Sequence, residues 1–313
     1  MKKIIYLGAD VGFKALEQEL LGKKAIAIHV DAIREAVATS LRDADALLDA
    51  SMKIRITNDM IRKAEKLQMI SCATTGSDHL EREEIEKRLI PVRTLKEDRE
   101  LLMGLTPAAE LSWALLMACT RKLPSAIDHV KKGKWSRELF PGIMLKGKRL
   151  GIIGCGRIGG WMGRYAKAFG MDVAGYDPYI DPFPENFIRL KLPKLFKTSN
   201  FISVHVHLTD ETRGLVSRKL LESAENCAVF VNTSRGAVVD ESALLDCLKK
   251  GTIGAAGLDV LDGEPEIDHH PLVEYARKND NLIITPHCGG FSPDAVALVC
   301  AEAAKKIIKQ LGI

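Results

Sequence analysis

The sequence predicts an α/β chain of two doubly wound parallel-sheet domains. Three observations lead there. Short apolar runs alternate with stretches of 3.6-residue periodicity, the rhythm of βαβ units and therefore of parallel sheets. The length of 313 residues suits two domains at about 150 residues each. An apolar strand also runs straight into a glycine-rich turn near mid-chain and then into a helix-compatible stretch, which marks the start of a second α/β unit.

Taken in order, residues 4–7, 25–29, 46–48, 69–72 and 91–92 are short apolar runs and read as strands. Between them, 13–21, 31–41, 57–67 and 82–88 repeat their apolar residues at helical spacing. Residues 107–119 (PAAELSWALLMAC) are apolar on nearly every side, which suits a core helix and a subunit contact equally. A polar stretch, 131–147, contains the turn Pro141-Gly142. Strands then resume at 149–153, 173–176, 201–206, 228–232, 254–259 and 281–285, with a helix expected over 160–169 and another over 293–309.

Composition narrows the function classes. Lys and Arg number 45 and Asp and Glu 41, a net charge of +4 without a sizeable patch, so no nucleic-acid partner is expected. Apolar runs fall short of the roughly 18 residues of a membrane span, so no membrane is expected either. The start of the chain is too short in apolar residues for a signal-peptide core. Seven cysteines without a CxxC pair read as reduced thiols, and the expected compartment is cytoplasmic. His205 and His207, two apart, lack a Cys or carboxylate at ligand spacing, so no metal is expected. His269 and His270, in an acidic loop, are expected to face solvent.

The glycine turn is Arg149-Leu-Gly-Ile-Ile-Gly154-Cys155-Gly156-Arg157-Ile158-Gly159. Gly154 allows the tight turn, Gly156 lets a pyrophosphate approach the backbone, and Gly159 permits close packing of helix on strand. The N-terminus of the following helix would offer its N–H groups and positive dipole end to phosphate, with Arg157 and Ile158 in the cofactor site. Asp177 follows Gly159 by 18 residues and ends the next strand, where a carboxylate accepts from ribose hydroxyls and repels a 2′-phosphate. This is a Rossmann dinucleotide site in outline. The alternative is a methyltransferase, whose similar loop and acid hold S-adenosylmethionine.

Three later segments each follow an apolar strand: Asn232-Thr233-Ser234-Arg235-Gly236, then Asp259-Val-Leu-Asp-Gly-Glu264-Pro265, then Thr285-Pro286-His287-Cys-Gly-Gly290. Arg235, Glu264 and His287 are thereby placed at strand C-termini, the edge where open parallel sheets collect ligands. With these motifs, the chain resembles the D-isomer-specific 2-hydroxyacid dehydrogenases. The stretches Ala73-Thr-Thr75-Gly76-Ser-Asp78 and His205-Val-His-Leu-Thr-Asp-Glu-Thr212 are similar to that family as well.

The resemblance implies NAD as cofactor and a small 2-oxo or 2-hydroxy acid as substrate. It implies that Arg235 binds the substrate carboxylate and polarises the oxo group, a task for a permanently charged fork. His287 would exchange a proton with the carbonyl oxygen, and Glu264 would hold the imidazole and favour its charged form. Backbone N–H groups at Thr75 and Gly76 would complete the carboxylate site. Thr233, Ser234, Asp259 and Gly290, with Arg235 and His287, would line the cofactor site. The family's organisation implies a Rossmann domain, 98–287, inserted in a flavodoxin-like substrate domain, 1–97 and 288–313. It also implies a homodimer, with the 107–119 helix in the contact.

Departures are few. His79-Leu80-Glu81 stands where many relatives read Asn-Val-Asp, residues 95–106 are unusually charged, and Ala50 stands where some phosphohydroxyacid enzymes carry Arg. The last tilts against a phosphorylated substrate. Two other readings stay open: an NAD(H)-sensing, corepressor-like binding protein, and formate or phosphite oxidation on the same fold.

Overall fold

The computed structural model describes residues 1–224 and 226–313. They form two compact units, one made of Met1–Leu105 with Gly290–Ile313 and the other of Thr106–Gly289.

The first unit is built on five strands: β1 (Lys2–Leu7), β2 (Ala25–His29), β3 (Ala46–Asp49), β4 (Met69–Cys72) and β5 (Val92–Arg93). They lie parallel in the order β2-β1-β3-β4-β5. That is the flavodoxin-like order. Strand alternation explains the two-sided core. In β1, Ile4 and Tyr6 face a cluster containing Leu16, Cys300 and Ile307, while Ile5 and Leu7 face another containing Val37, Ile61 and Ile70. The helix Pro293–Leu311 packs on the helix Asp10–Glu19 and on β3 and β4. Ser292 caps its start by accepting from Ala295 N at 3.3 Å, and Gly312, at φ +66, ends it. Ser71 in β4 donates to its Ala303 carbonyl at 3.0 Å, and Lys306 donates to Thr94 O at 2.8 Å and pairs with Asp98.

The second unit carries seven strands: β6 (Arg149–Ile153), β7 (Asp172–Tyr176), β8 (Ile188–Arg189), β9 (Phe201–Val204), β10 (Val229–Asn232), β11 (Ala255–Leu258) and β12 (Leu282–Ile284). Their parallel order is β12-β11-β10-β9-β6-β7-β8. Counted from β6, this is the Rossmann arrangement with one strand added, and its switch point falls between β6 and β9. Helices cover both faces, with Ile153, Ile202 and Phe230 in one core cluster and Leu150, Phe201 and Val231 in the other.

Some elements differ from the sequence reading. The helix after the glycine turn, Arg157–Ala168, begins three residues earlier than expected, because Gly156 itself serves as its N-cap. Strand β8 is a two-residue exposed edge without an apolar pattern, so periodicity could not reveal it. The helix Glu241–Lys250 was not among the expected elements, although its buried Ala243, Leu244, Cys247 and Leu248 recur at helical spacing; Asp240 caps it by accepting from Ala243 N at 2.9 Å, and Gly251 follows at φ +76. His270 corrects an expectation, since it is not solvent-facing: its side chain is 14% exposed and lies against Glu241. The expectation about apolar length also needs correction. The 22-residue stretch Arg99–Thr120 is long and apolar enough to cross a membrane by length and composition alone. Its second part, the helix Pro107–Thr120, buries Ala109, Leu115, Leu116 and Cys119 and packs on β10 and β11.

Candidate active site

Strands β12, β11 and β10 are neighbours, so the loops leaving their C-terminal ends share one edge of the second sheet. Arg235 follows β10, Glu264 follows β11 and His287 follows β12. Two of these loops are braced by a buried polar side chain at or beside a strand end.

Asn232, 1% exposed, ends β10. Its Oδ1 accepts from Ser234 N at 3.0 Å and Ser234 Oγ at 2.7 Å, and its Nδ2 donates to Arg235 O at 2.9 Å. The turn that presents Arg235 is therefore closed by one amide. Thr233 Oγ1 lies 2.7 Å from Ser112 Oγ on the helix Pro107–Thr120. Gly236 is required, because an added Cβ would stand 2.0 Å from Asp262 N.

Asp259 plays the same part for His287. Also 1% exposed, it accepts at Oδ1 from Thr285 Oγ1 (2.5 Å) and Cys288 N (2.9 Å), and at Oδ2 from Gly289 N (2.7 Å). Its carbonyl takes His287 N at 2.9 Å. These bonds hold His287 at φ +51, a left-handed conformation that non-glycine residues adopt rarely and that the surroundings must enforce. His287 Nδ1 meets Glu264 Oε1 at 2.5 Å, and Glu264 Oε2 accepts from Leu261 N at 3.2 Å. The carboxylate is thus itself oriented. Histidine and glutamate are part-exposed, at 38% and 28%, so a small molecule can reach the pair.

Residues of the glycine turn fit a dinucleotide. Gly154 sits at φ +87, and a Cβ there would be 2.4 Å from His205 O. A Cβ on Gly159 would be 2.0 Å from Gly154 O, so helix and strand pack as closely as the motif requires. Around Gly156, by contrast, an added Cβ meets nothing within 4 Å. That open ground lies at the N-terminus of the helix Arg157–Ala168, which has no side-chain cap, so its dipole and N–H groups suit a pyrophosphate. Burial disfavours the charged form of the Arg157 guanidinium. Asp177 accepts from Cys155 N and Tyr179 N, both at 2.9 Å, and from Ile180 N at 3.2 Å. It is a fixed ionic acceptor beside the turn. Arg189, on β8, donates to Asp177 O at 3.3 Å. Cys155 packs beneath the turn, its thiol pushed up to about 12 by burial and by Asp177. Burial drives His205 down to about 3, so this ring is neutral, and its Nε2 lies 2.7 Å from Ser203 Oγ. Among the described residues, no group of three His, Cys, Asp or Glu could hold a metal.

The first unit carries Thr75, Gly76 and Gly290. Thr75 and Gly76 are half-buried in the turn after β4, where Thr74 Oγ1 donates to Gly76 O at 2.7 Å. The departure at His79 has a partner in Asp49, the fully buried last residue of β3, 2.9 Å away. Sequence reasoning singled out neither Asn232 nor Arg189. Asn232 was visible only as a polar residue closing an apolar strand, and Arg189 carried no signal.

Comparison with known proteins gives concordant matches. Residues 113–289 match the D-isomer specific 2-hydroxyacid dehydrogenase NAD binding domain, and residues 9–97 match the catalytic domain of the same name. A D-3-phosphoglycerate dehydrogenase of Methanocaldococcus jannaschii is 38% identical over 88% of the chain, but the chain spans only 52% of that relative, about half its length. A hydroxypyruvate reductase of Thermotoga maritima is 33% identical over 96% of each chain. A crystal structure of a protein from Thermus thermophilus superposes with a TM-score of 0.85 at 31% identity, covering 99% of this chain and 97% of that one.

Proposed function

Since the chain belongs to the D-isomer specific 2-hydroxyacid dehydrogenase family, we propose that it interconverts a small 2-oxo acid and its D-2-hydroxy acid with NAD(H). The observation that carries this reading is the Glu264–His287 contact at 2.5 Å, on a histidine fixed in a rare backbone conformation. Rivals that only bind NAD(H) have no use for so constrained an acid–base pair.

NAD(H), when bound, donates or accepts the hydride at the substrate's C2. The chain's own residues do the rest. Arg235 takes the carboxylate and polarises the oxo group through its planar fork. His287, protonated, gives its proton to the carbonyl oxygen in reduction and removes it in oxidation. With Nδ1 engaged by Glu264, Nε2 is the nitrogen that exchanges the proton. Glu264 orients the imidazole through Nδ1, and Asp259 and Asn232 hold the His287 and Arg235 loops in shape. Thr75 and Gly76 are assigned to carboxylate binding on the family likeness. Thr233, Ser234 and Gly290 are assigned to the cofactor.

A panel of glyoxylate, hydroxypyruvate, pyruvate and 3-phosphohydroxypyruvate with NADH, followed at 340 nm, tests the reading. Turnover of at least one unphosphorylated acid is expected. No oxidation of NADH with any of the four would refute the assignment.

NADH should be preferred over NADPH. Asp177 would lose ribose hydrogen bonds and face a like charge if a 2′-phosphate entered. Hydrogen bonds to a charged group are worth about 1.5–3 kcal/mol, so Asp177→Ala should weaken NADH by roughly 10- to 100-fold and narrow the gap. Arg189 tempers the repulsion and keeps the preference finite. Equal kcat/KM for both cofactors in the unaltered enzyme would contradict this.

A homodimer is proposed as well. Leu123, Ile127 and Val130 lie on one face of the helix Leu123–Lys131 and are 43%, 52% and 50% exposed, with Trp135 at 88% and Met144 at 74% close behind in sequence. This moves the expected contact beyond the 107–119 helix, whose apolar residues are largely used within its own unit. Light scattering at micromolar concentration should give twice the 34.4 kDa chain mass. A value at the chain mass would exclude the dimer.

A further inference from the structure

We propose that Glu241 and His270 are positioning residues for the acid–base pair, pinning both ends of the loop that carries Glu264. The proposal rests on the reading of Glu264 and His287 given above. It starts from a second carboxylate–imidazole contact, deeper in the same unit: Glu241 Oε2 and His270 Nε2 are 3.0 Å apart, with side chains only 12% and 14% exposed.

The contact has a definite polarity. His270 Nδ1 accepts from Leu272 N at 3.2 Å, where it caps the helix Pro271–Ala276. The ring proton therefore sits on Nε2, and a neutral imidazole donates to Glu241. The other carboxylate oxygen, Oε1, accepts from Asp262 N at 3.1 Å. Glu241 thus takes one hydrogen bond from each end of the segment 262–270. Glu264 lies inside that segment, two residues from the first anchor.

Only an acceptor at both oxygens closes this arrangement. Burial above all, with the facing charges of Asp262 and Glu264, pushes the Glu241 carboxyl up to about 7 against the pull of the Asp262 N–H bond, so the two-acceptor form is complete only above that pH. His270 is pushed down by burial, against the pull of Asp262. A neutral ring and a demanding carboxylate fit the one-way donation. Such a site is costly to keep unless both bonds are made, and both of them act on the Glu264 loop. Close approach of Gly236 to Asp262 N brings the Arg235 turn against the same anchor.

Two variants separate positioning from bulk stability. Glu241→Gln keeps the size but satisfies one anchor only, since its NH2 opposes one of the two donors. His270→Asn keeps an N-cap acceptor for Leu272 N yet is too short to reach Glu241. The readout is the pH profile of oxo-acid reduction, which falls as His287 loses its proton. Glu264→Gln, the reference, removes the charge beside the ring and should move that limb to lower pH. Each positioning variant should move it the same way by a smaller step. NADH affinity should stay at the parent's value, while the melting temperature falls because each variant leaves a buried polar group unpaired. Profiles of Glu241→Gln and His270→Asn that superimpose on the parent's, with Glu264→Gln shifted, would overturn the positioning role alone. If Glu264→Gln does not shift, the acid–base reading fails and the proposal goes with it. Should Glu241→Gln not fold, His270→Asn carries the test by itself.

Discussion

Replacing His287 by Gln lowers the rate of oxo-acid reduction by about 10²–10⁴-fold, the usual worth of a positioned acid–base group. Gln can still hydrogen-bond to a carbonyl oxygen but has no proton to transfer. The loss should fall on kcat, and NADH affinity should be little changed. Single-turnover reduction followed at 340 nm isolates the chemical step from product release. A loss smaller than tenfold would mean that the proton comes from elsewhere, and Glu264 would then merely fill a turn.

The second large effect belongs to Arg235→Lys, which keeps the charge and removes the fork. A Lys ammonium cannot bind a carboxylate through two parallel N–H donors and reach the oxo oxygen as well. Loss of one such donor to developing negative charge costs about 10²–10³-fold in rate. We expect kcat/KM to fall by about that factor, with KM and kcat both affected, since in the proposed role the guanidinium would touch the substrate before and during hydride transfer. Parent-like KM in Arg235→Lys would show that the carboxylate is bound by other groups.

Much of this arrangement could be read from the chain. Each of the three site loops follows a run of apolar residues, and in a parallel sheet a strand's end already fixes the edge on which its loop emerges. The glycines announced themselves because Gly154 and Gly159 have no room for a Cβ. What stayed hidden depends on partners far apart in sequence. Asp259 stood out as an acid near the site, yet its bonds to the turn 26–30 residues away belong to tertiary structure. Glu241 was not singled out, and His270 read as a solvent-facing loop residue, until the fold brought them together across 29 positions. Arg189 lies on a strand of two exposed residues, too short to have a period.

The discontinuous first unit has a consequence for how the chain is made on the ribosome. Its core needs the helix Pro293–Leu311, whose Val296, Cys300, Ala303, Ala304 and Ile307 cover the face of β1 that carries Ile4 and Tyr6. Those strands are synthesised first, but their cover arrives only after the whole of Thr106–Gly289 has been made. At about 5–20 residues per second, the interval is on the order of 10–40 s. During it the inserted unit, contiguous in sequence, can build up its own core, while the earlier half waits with that apolar sheet face covered only in part, by the helix Asp10–Glu19. Chains truncated before residue 293 and released from the ribosome should therefore contain a protease-resistant Thr106–Gly289 segment and a susceptible N-terminal one, and should attract chaperones through the latter.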